Sequence, residues 1–91
     1  MSKTIWKFEL DARDIQRIEM PAHSEILCIQ VQNEKPCIWA LVEPQNEKVK
    51  RTFETFGTGH NISADTIRNY IGTFQIENGS LVFHCFELIL T

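Results

Sequence analysis

Residues 75–82 read Gln-Ile-Glu-Asn-Gly-Ser-Leu-Val, two short apolar and polar segments on either side of Asn78-Gly79. Both Asn and Gly tolerate positive φ, which the two central residues of a type I′ turn require. The stretch therefore predicts a β-hairpin that turns at Asn78-Gly79, and with it an antiparallel sheet.

Alternation of apolar and polar residues continues along the rest of the chain. The apolar positions are Trp6, Phe8 and Leu10, then Ile18 and Met20, then Leu27, Ile29 and Val31. Such alternation is typical of half-buried strands in an antiparallel sheet. Residues 37–43 and 81–86 are apolar on both faces and predict the most enclosed strands, with Trp39 as a core anchor.

Turn-forming residues separate these segments. The stretches 33–36 and 44–47 each contain proline, which presets a turn dihedral, and a strand is expected from Lys48 to Phe56. Residues 63–69 predict a short helix in which Ser63 caps the first turn. The expected fold is mainly β: one domain over residues 1–91, a small antiparallel sandwich or partly open barrel of about seven strands with one short helix.

Composition limits the classes of function. The 91 residues carry a net charge of −3 and lack a run apolar enough to span a membrane, so nucleic acid and membrane partners are disfavoured. The three cysteines form no C-x-x-C pair, and Met1 to Trp6 enter a strand pattern with no signal-peptide core. We expect free thiols and a reducing cytoplasm.

No arrangement of residues predicts catalysis. His23, His60 and His84 are far apart and have no ligand spacing with a cysteine, so no metal site and no cofactor are expected. The cysteines lie in apolar segments, where a neutral, unreactive thiol is favoured. A sandwich this small also offers little room for a pocket unless two subunits form one. We expect a protein that is not an enzyme.

One loop is a candidate ligand site. Gly57, Thr58, Gly59 and His60 precede the expected helix, and glycine backbone N–H groups at such a place can bind an anion. Neither known phosphate-binding motif is present, and a sharp turn without a ligand also explains the glycines.

Two basic residues could complete that site. Arg51, within Lys48-Val49-Lys50-Arg51, and Arg68 would form a basic patch beside the loop if their side chains pointed the same way. The alternative is a solvated edge strand, on which lysines discourage aggregation.

Apolar residues at the two ends of the chain are candidates for an interface. Trp6 lies on the first strand, where it would serve an interface if that strand is a sheet edge. Leu88, Ile89 and Leu90 come at the other end. These three residues either complete a strand or bury against another subunit, so self-association is expected.

Several phrases together resemble a known family. They are Ile5-Trp6-Lys7-Phe8, Ile18-Glu19-Met20-Pro21, Val31-Gln32-Asn33, Ile38-Trp39-Ala40-Leu41-Val42, Phe56-Gly57-Thr58-Gly59-His60, Tyr70-Ile71-Gly72-Thr73-Phe74 and Leu81-Val82-Phe83-His84. The set resembles a family of short uncharacterised bacteriophage and prophage proteins of unknown function. The resemblance implies a small accessory protein acting in the cytoplasm of a bacterial host, with no catalytic residues to transfer.

Three functions follow as hypotheses. The first is a non-catalytic protein that binds a host or phage protein, as a host-takeover or anti-defence inhibitor does. The second is a homo-oligomer that binds a nucleotide-like or other anionic small molecule at a subunit interface, using the Gly57–His60 loop with Arg51 or Arg68. The third is a structural or assembly protein of the virion.

Overall fold

The computed structural model describes residues 2–11 and 13–90, and Met1, Ala12 and Thr91 lie outside the described residues. Within these ranges there are seven strands: β1 (Thr4–Glu9), β2 (Ile15–Pro21), β3 (Glu25–Gln32), β4 (Lys35–Val42), β5 (Lys48–Gly57), β6 (Arg68–Ile76) and β7 (Leu81–Leu88). The predicted number of strands is confirmed.

The strands form two antiparallel sheets. The first sheet has the order β1-β4-β3, and the second has the order β2-β5-β7-β6. Buried side chains of both sheets share one core, whose largest fully buried members are Phe53, Met20, Ile38 and Val42. The protein is thus a two-layer sandwich, and neither sheet closes into a barrel within the described ranges.

The predicted alternation holds on most strands. Phe8, Leu10, Ile18 and Met20 face the core, and their polar neighbours on β1 and β2 are exposed. β4 and β7 are the inner strands of their sheets, as their apolar composition predicts. Trp39 is an exception: it is only partly buried, and its ring lies 5.9 Å below the Lys7 ammonium. It pairs with Lys7 on the outward-facing side of the first sheet and is not the core anchor that we expected.

A bulge changes the phase of β3. The register shifts between Ile26 and Cys28, so Leu27 has no partner in the β3–β4 ladder. An extra residue of this kind reverses the alternation along a strand. Leu27 is 45% exposed, and Ile26 packs against the core in its place. The prediction that Leu27 shares a face with Ile29 is therefore wrong.

Both tight hairpins form: the β6–β7 turn is centred where the sequence predicts, and the β3–β4 turn is not. β6 and β7 are joined as expected, and the Gly79 N–H donates to the Ile76 carbonyl with φ of 55° at both Glu77 and Asn78. The Ser80 N–H also donates to the Glu77 carbonyl across Asn78 and Gly79, which have φ of 55° and 85°. Because Ile76 pairs with Leu81, the loop of residues 77–80 is centred on Asn78-Gly79, as predicted. Between β3 and β4 the turn is Asn33-Glu34, with φ of 54° and 64°. Pro36 lies inside β4 opposite Val31, so it does not preset that turn.

The predicted helix over residues 63–69 is absent. β5 and β6 both pair antiparallel with β7, so they run parallel to each other, and residues 58–67 must return along the sheet before β6 begins. That return covers the length of β7 from Phe83 to Leu88, about 17 Å. Arg68 and Asn69, the last two residues of the predicted helix, pair with β7 instead, which leaves too few residues for a stable helix. The chain therefore crosses in an extended form that we call the crossover loop. Here the Ser63 hydroxyl accepts from the Asp65 N–H in a local turn.

No helix among the described residues is long and apolar enough to cross a membrane.

Candidate functional site

The outer side of the second sheet carries the most distinctive group of side chains. Phe53, Phe74 and Cys85 face the core. Because side chains alternate along a strand, their neighbours point away from the first sheet. These outward-facing side chains are Glu54, Phe56, Arg68, Tyr70, Thr73, His84 and Phe86. We call this set the aromatic face.

Three rings form the centre of the aromatic face. The Phe86 ring lies 5.9 Å from that of Phe56 and 5.4 Å from that of Tyr70, with interplanar angles of 69° and 61°. Such edge-to-face contacts between rings are attractive beyond the area that they bury. Phe56 and Phe86 are half-buried, whereas Tyr70 is 60% exposed. The rings therefore hold one another in place and still present apolar surface to solvent.

A bulge in β6 brings two polar side chains together beside these rings. The register shifts between Tyr70 and Gly72, so Tyr70 and Thr73 lie on the same side although they are three residues apart. The Tyr70 hydroxyl lies 2.6 Å from Thr73 Oγ1, which in turn lies 2.9 Å from His84 Nδ1. A hydroxyl can both donate and accept, so this chain is satisfied whichever ring nitrogen carries the proton.

The Gly57–His60 loop joins the same polar chain. His84 Nε2 lies 2.7 Å from Thr58 Oγ1. Both ring nitrogens of His84 therefore have hydroxyl partners. The contact links the loop to the aromatic face, and nothing in the sequence predicts it.

The backbone N–H groups of the loop are largely used within the protein. Gly57 donates to His60 Nδ1 at 3.3 Å, Thr58 to the Val82 carbonyl at 3.4 Å, and His60 to the Gly57 carbonyl at 3.1 Å. A Cβ at Gly57 would lie 2.9 Å from the His60 ring, and Gly59 has φ of 89°. The glycines thus allow a sharp turn that carries the His60 ring against the backbone, and they leave few donors for an anion.

Arg68 fastens the crossover loop to the aromatic face. Its Nε donates to Glu54 Oε1 at 2.6 Å, and its Nη1 donates to the Ser63 carbonyl at 2.8 Å. The guanidinium also lies 5.4 Å from the centre of the Phe56 ring. The side chains of the pair are only 11% and 15% exposed, so the positive charge of Arg68 is already balanced.

Arg51 lies elsewhere. It is six residues before Gly57 on β5, about 20 Å along the strand. Its guanidinium binds both Glu87 carboxylate oxygens, at 2.6 and 2.7 Å, and donates to the Ser24 carbonyl. The structure therefore does not bring Arg51 to the loop with which the sequence grouped it.

The structure also separates the residues that were predicted to form an interface. Leu88 completes β7, and the Ile89 N–H donates to the Ile67 carbonyl, so the C-terminal apolar run extends the second sheet. Leu90 is 71% exposed. Trp6 lies on the edge strand of the first sheet, but its half-buried ring faces inward against Phe8, below the Lys48 ammonium.

The chemistry of the buried thiols fits a structural role. Cys85 is fully buried, and burial raises the pKa of its thiol to about 12; a hydrogen bond with Thr55 lowers the pKa and the nearby Glu87 raises it. A protonated thiol is a poor nucleophile. Nor do three His, Cys, Asp or Glu side chains converge on a possible metal position in the part of the chain that the structure describes.

Thiol labelling in the native protein is expected to follow this burial. Cys28 is half-buried, whereas Cys37 and Cys85 are 1% and 0% exposed, so a disulfide reagent should label Cys28 alone until denaturant is added. Mass spectrometry of the labelled chain identifies the sites, with Cys28→Ser as the control that should stay unlabelled. Rapid labelling of Cys85 in the native Cys28→Ser variant would contradict the buried thiol.

Comparison with known proteins identifies the family. The chain matches the DUF7352 family, described as a domain of unknown function, over residues 1–90, and it belongs to that family. No curated protein and no solved structure matches it.

Proposed function

We propose that this member of the DUF7352 family is a non-catalytic protein that binds another protein through its aromatic face. The observation that carries the proposal is the uncovered cluster of Phe56, Tyr70 and Phe86, packed at 5.4–5.9 Å on the side of the sheet that the first sheet does not cover. Aromatic side chains and arginine are enriched at the centres of protein interfaces.

An exposed aliphatic residue widens this surface. Ile15 lies opposite Glu54 on the neighbouring strand, on the same side as the rings, and is 53% exposed. Contiguous exposed apolar surface with a polar border is typical of a binding site.

The rigidity of the aromatic face supports binding as well. Its rings sit on three hydrogen-bonded strands, and Arg68 and the Thr58–His84 contact hold the crossover loop against them. A surface that is ordered before binding loses less conformational entropy when a partner arrives.

The resemblance to short bacteriophage and prophage proteins suggests the partner. We propose a host or phage protein in the bacterial cytoplasm, inhibited or redirected by this small accessory protein. Light scattering on the isolated protein gives its oligomeric state. A dimer would indicate that a second copy of this chain covers the aromatic face, whereas a monomer leaves the face free for a different protein.

The test is capture of a partner with matched surface variants. Tyr70→Ser should weaken binding of the captured partner about tenfold, the loss expected when a central aromatic contact is removed. Ile5→Ser is the control, because Ile5 is 56% exposed and lies on the outer side of the first sheet. The measurement is the dissociation constant of the purified pair for wild type and both variants.

Two results would contradict the proposal. One is full binding by Tyr70→Ser, and the other is an equal loss for Tyr70→Ser and Ile5→Ser. Thermal unfolding of each variant shows whether the fold is retained.

A further inference from the structure

A cavity of about 470 Å³ opens between the two sheets, away from the aromatic face. Its apolar walls are Leu10 at the end of β1, Phe74 and Ile76 on β6, and Leu81 and Phe83 on β7. A cavity of this size lies in the range that holds small organic molecules. One chain forms it alone, so the expectation that a pocket needs two subunits is wrong.

Short side chains on β5 keep the cavity open. Thr55 and Gly57 both line it, and neither can fill the space that a larger side chain would occupy. Gly57 cannot be replaced without moving the His60 ring, whose nearest atom would lie 2.9 Å from an added Cβ. The opening is therefore built into the packing around the end of β5.

Charged side chains surround the mouth of the cavity. Arg13 pairs with Asp11 at 4.0 Å, and Lys35 pairs with Glu9 at 3.4 Å. Asp14 and Glu34 line the same mouth, and neither forms an ion pair with another residue in the ranges 2–11 and 13–90. At the mouth, Arg13 and Lys35 are each paired with a carboxylate, and two further carboxylates have no basic partner within the described ranges.

The Glu34 carboxylate is held in position. Its Oε1 accepts a hydrogen bond from the Glu77 N–H at 3.1 Å, in the turn before β7. A second oxygen of the same carboxylate stays available to a ligand.

We propose that this cavity binds a small organic cation, an amine whose apolar body lies against Phe74, Ile76 and Phe83 and whose ammonium group lies between Asp14 and Glu34. The apolar walls supply the binding energy, and the unpaired carboxylates select the sign of the charge. This site is separate from the aromatic face, so its occupancy and the binding of a protein partner are independent questions.

The test uses three probes with the same body and different head groups: phenylbutylamine, phenylbutanol and phenylbutyrate. Titrations of the isotope-labelled full chain, followed by amide chemical shifts, give both the dissociation constants and the location. The amine should bind about ten times more tightly than the acid, with the alcohol between them, because two partly exposed charge contacts each contribute up to about a factor of five. The largest shifts should fall on Ile76, Leu81 and Phe83.

Variants separate charge selection from simple insertion of an apolar group. Asp14→Asn combined with Glu34→Gln should reduce the affinity for the amine to that for the alcohol and leave alcohol binding unchanged. Leu81→Arg should abolish amine binding, because it places a cation at the mouth of the cavity. Leu27→Arg is the control, because Leu27 lies outside this cavity. The two leucines are similarly exposed, at 45% for Leu27 and 42% for Leu81.

Three outcomes would overturn the proposal. The first is that none of the probes binds at millimolar concentration, and the second is that the acid binds as tightly as the amine. The third is a dimer that Leu81→Arg dissociates and Leu27→Arg does not, since a second copy would then occupy the cavity.

Discussion

Arg51→Ala is expected to lower the free energy of unfolding by about 3–5 kcal/mol, the loss typical of breaking a buried ion pair. The guanidinium binds both oxygens of Glu87 at 2.6 and 2.7 Å and also reaches the Ser24 carbonyl in the turn between β2 and β3. Glu87 is only 8% exposed. Removal of the arginine would leave a buried carboxylate and a carbonyl group without donors.

Urea unfolding measures this loss, with Lys50→Ala on the same strand as an exposed control. The double variant Arg51→Met with Glu87→Leu should regain most of the stability, because replacement of both charges removes the need to pair them. A loss below about 1 kcal/mol for Arg51→Ala, the value expected of an exposed pair, would show that the ion pair is not buried.

Gly72→Ala is expected to lower the free energy of unfolding by about 1–3 kcal/mol, the usual cost of overpacking a core. Gly72 lies on β6 where the second sheet approaches β3 of the first, and an added Cβ would lie 2.8 Å from Ile29 Cγ2. Ile29 is 6% exposed and belongs to the core, so it has little room to move.

Ile29→Leu provides the matched rescue, because leucine has no methyl group on its Cβ and so lacks the Cγ2 atom that makes the contact. In the Ile29→Leu background, Gly72→Ala should cost less than in the wild type, and Gln75→Ala on an exposed position of β6 serves as the control. If the cost of Gly72→Ala is the same in both backgrounds, the two sheets are not in contact at this point.

The fold was predictable where the signal is local. Alternation over a few residues places Phe8, Ile18 and Met20 on the core side, and short turns join β3 to β4 and β6 to β7. The wrong predictions come from features that the alternation of apolar and polar residues does not reveal. A single bulge exposes Leu27, and the parallel arrangement of β5 and β6 requires an extended crossover where the residues favour a helical turn.

The aromatic face was not predictable, because it depends on the order of the strands. Phe56, Tyr70 and Phe86 meet only because β7 lies between β5 and β6, and a bulge puts Thr73 beside Tyr70. The ion-pair partner of Arg51 was not predictable either, because Glu87 lies 36 positions away along the chain. One feature of the sequence does indicate an apolar outer surface. β7 has apolar residues on both of its faces, although only one face can pack against the first sheet.

Binding of a protein partner to the aromatic face is tested most directly by hydroxyl-radical footprinting of the purified complex. The partner should reduce oxidation of Tyr70 and Ile15, which are 60% and 53% exposed in the free protein. Oxidation of Ile5, which is 56% exposed on the other sheet, should stay the same. Protection of Ile5 with unchanged oxidation of Tyr70 would place the partner on the first sheet and contradict the account.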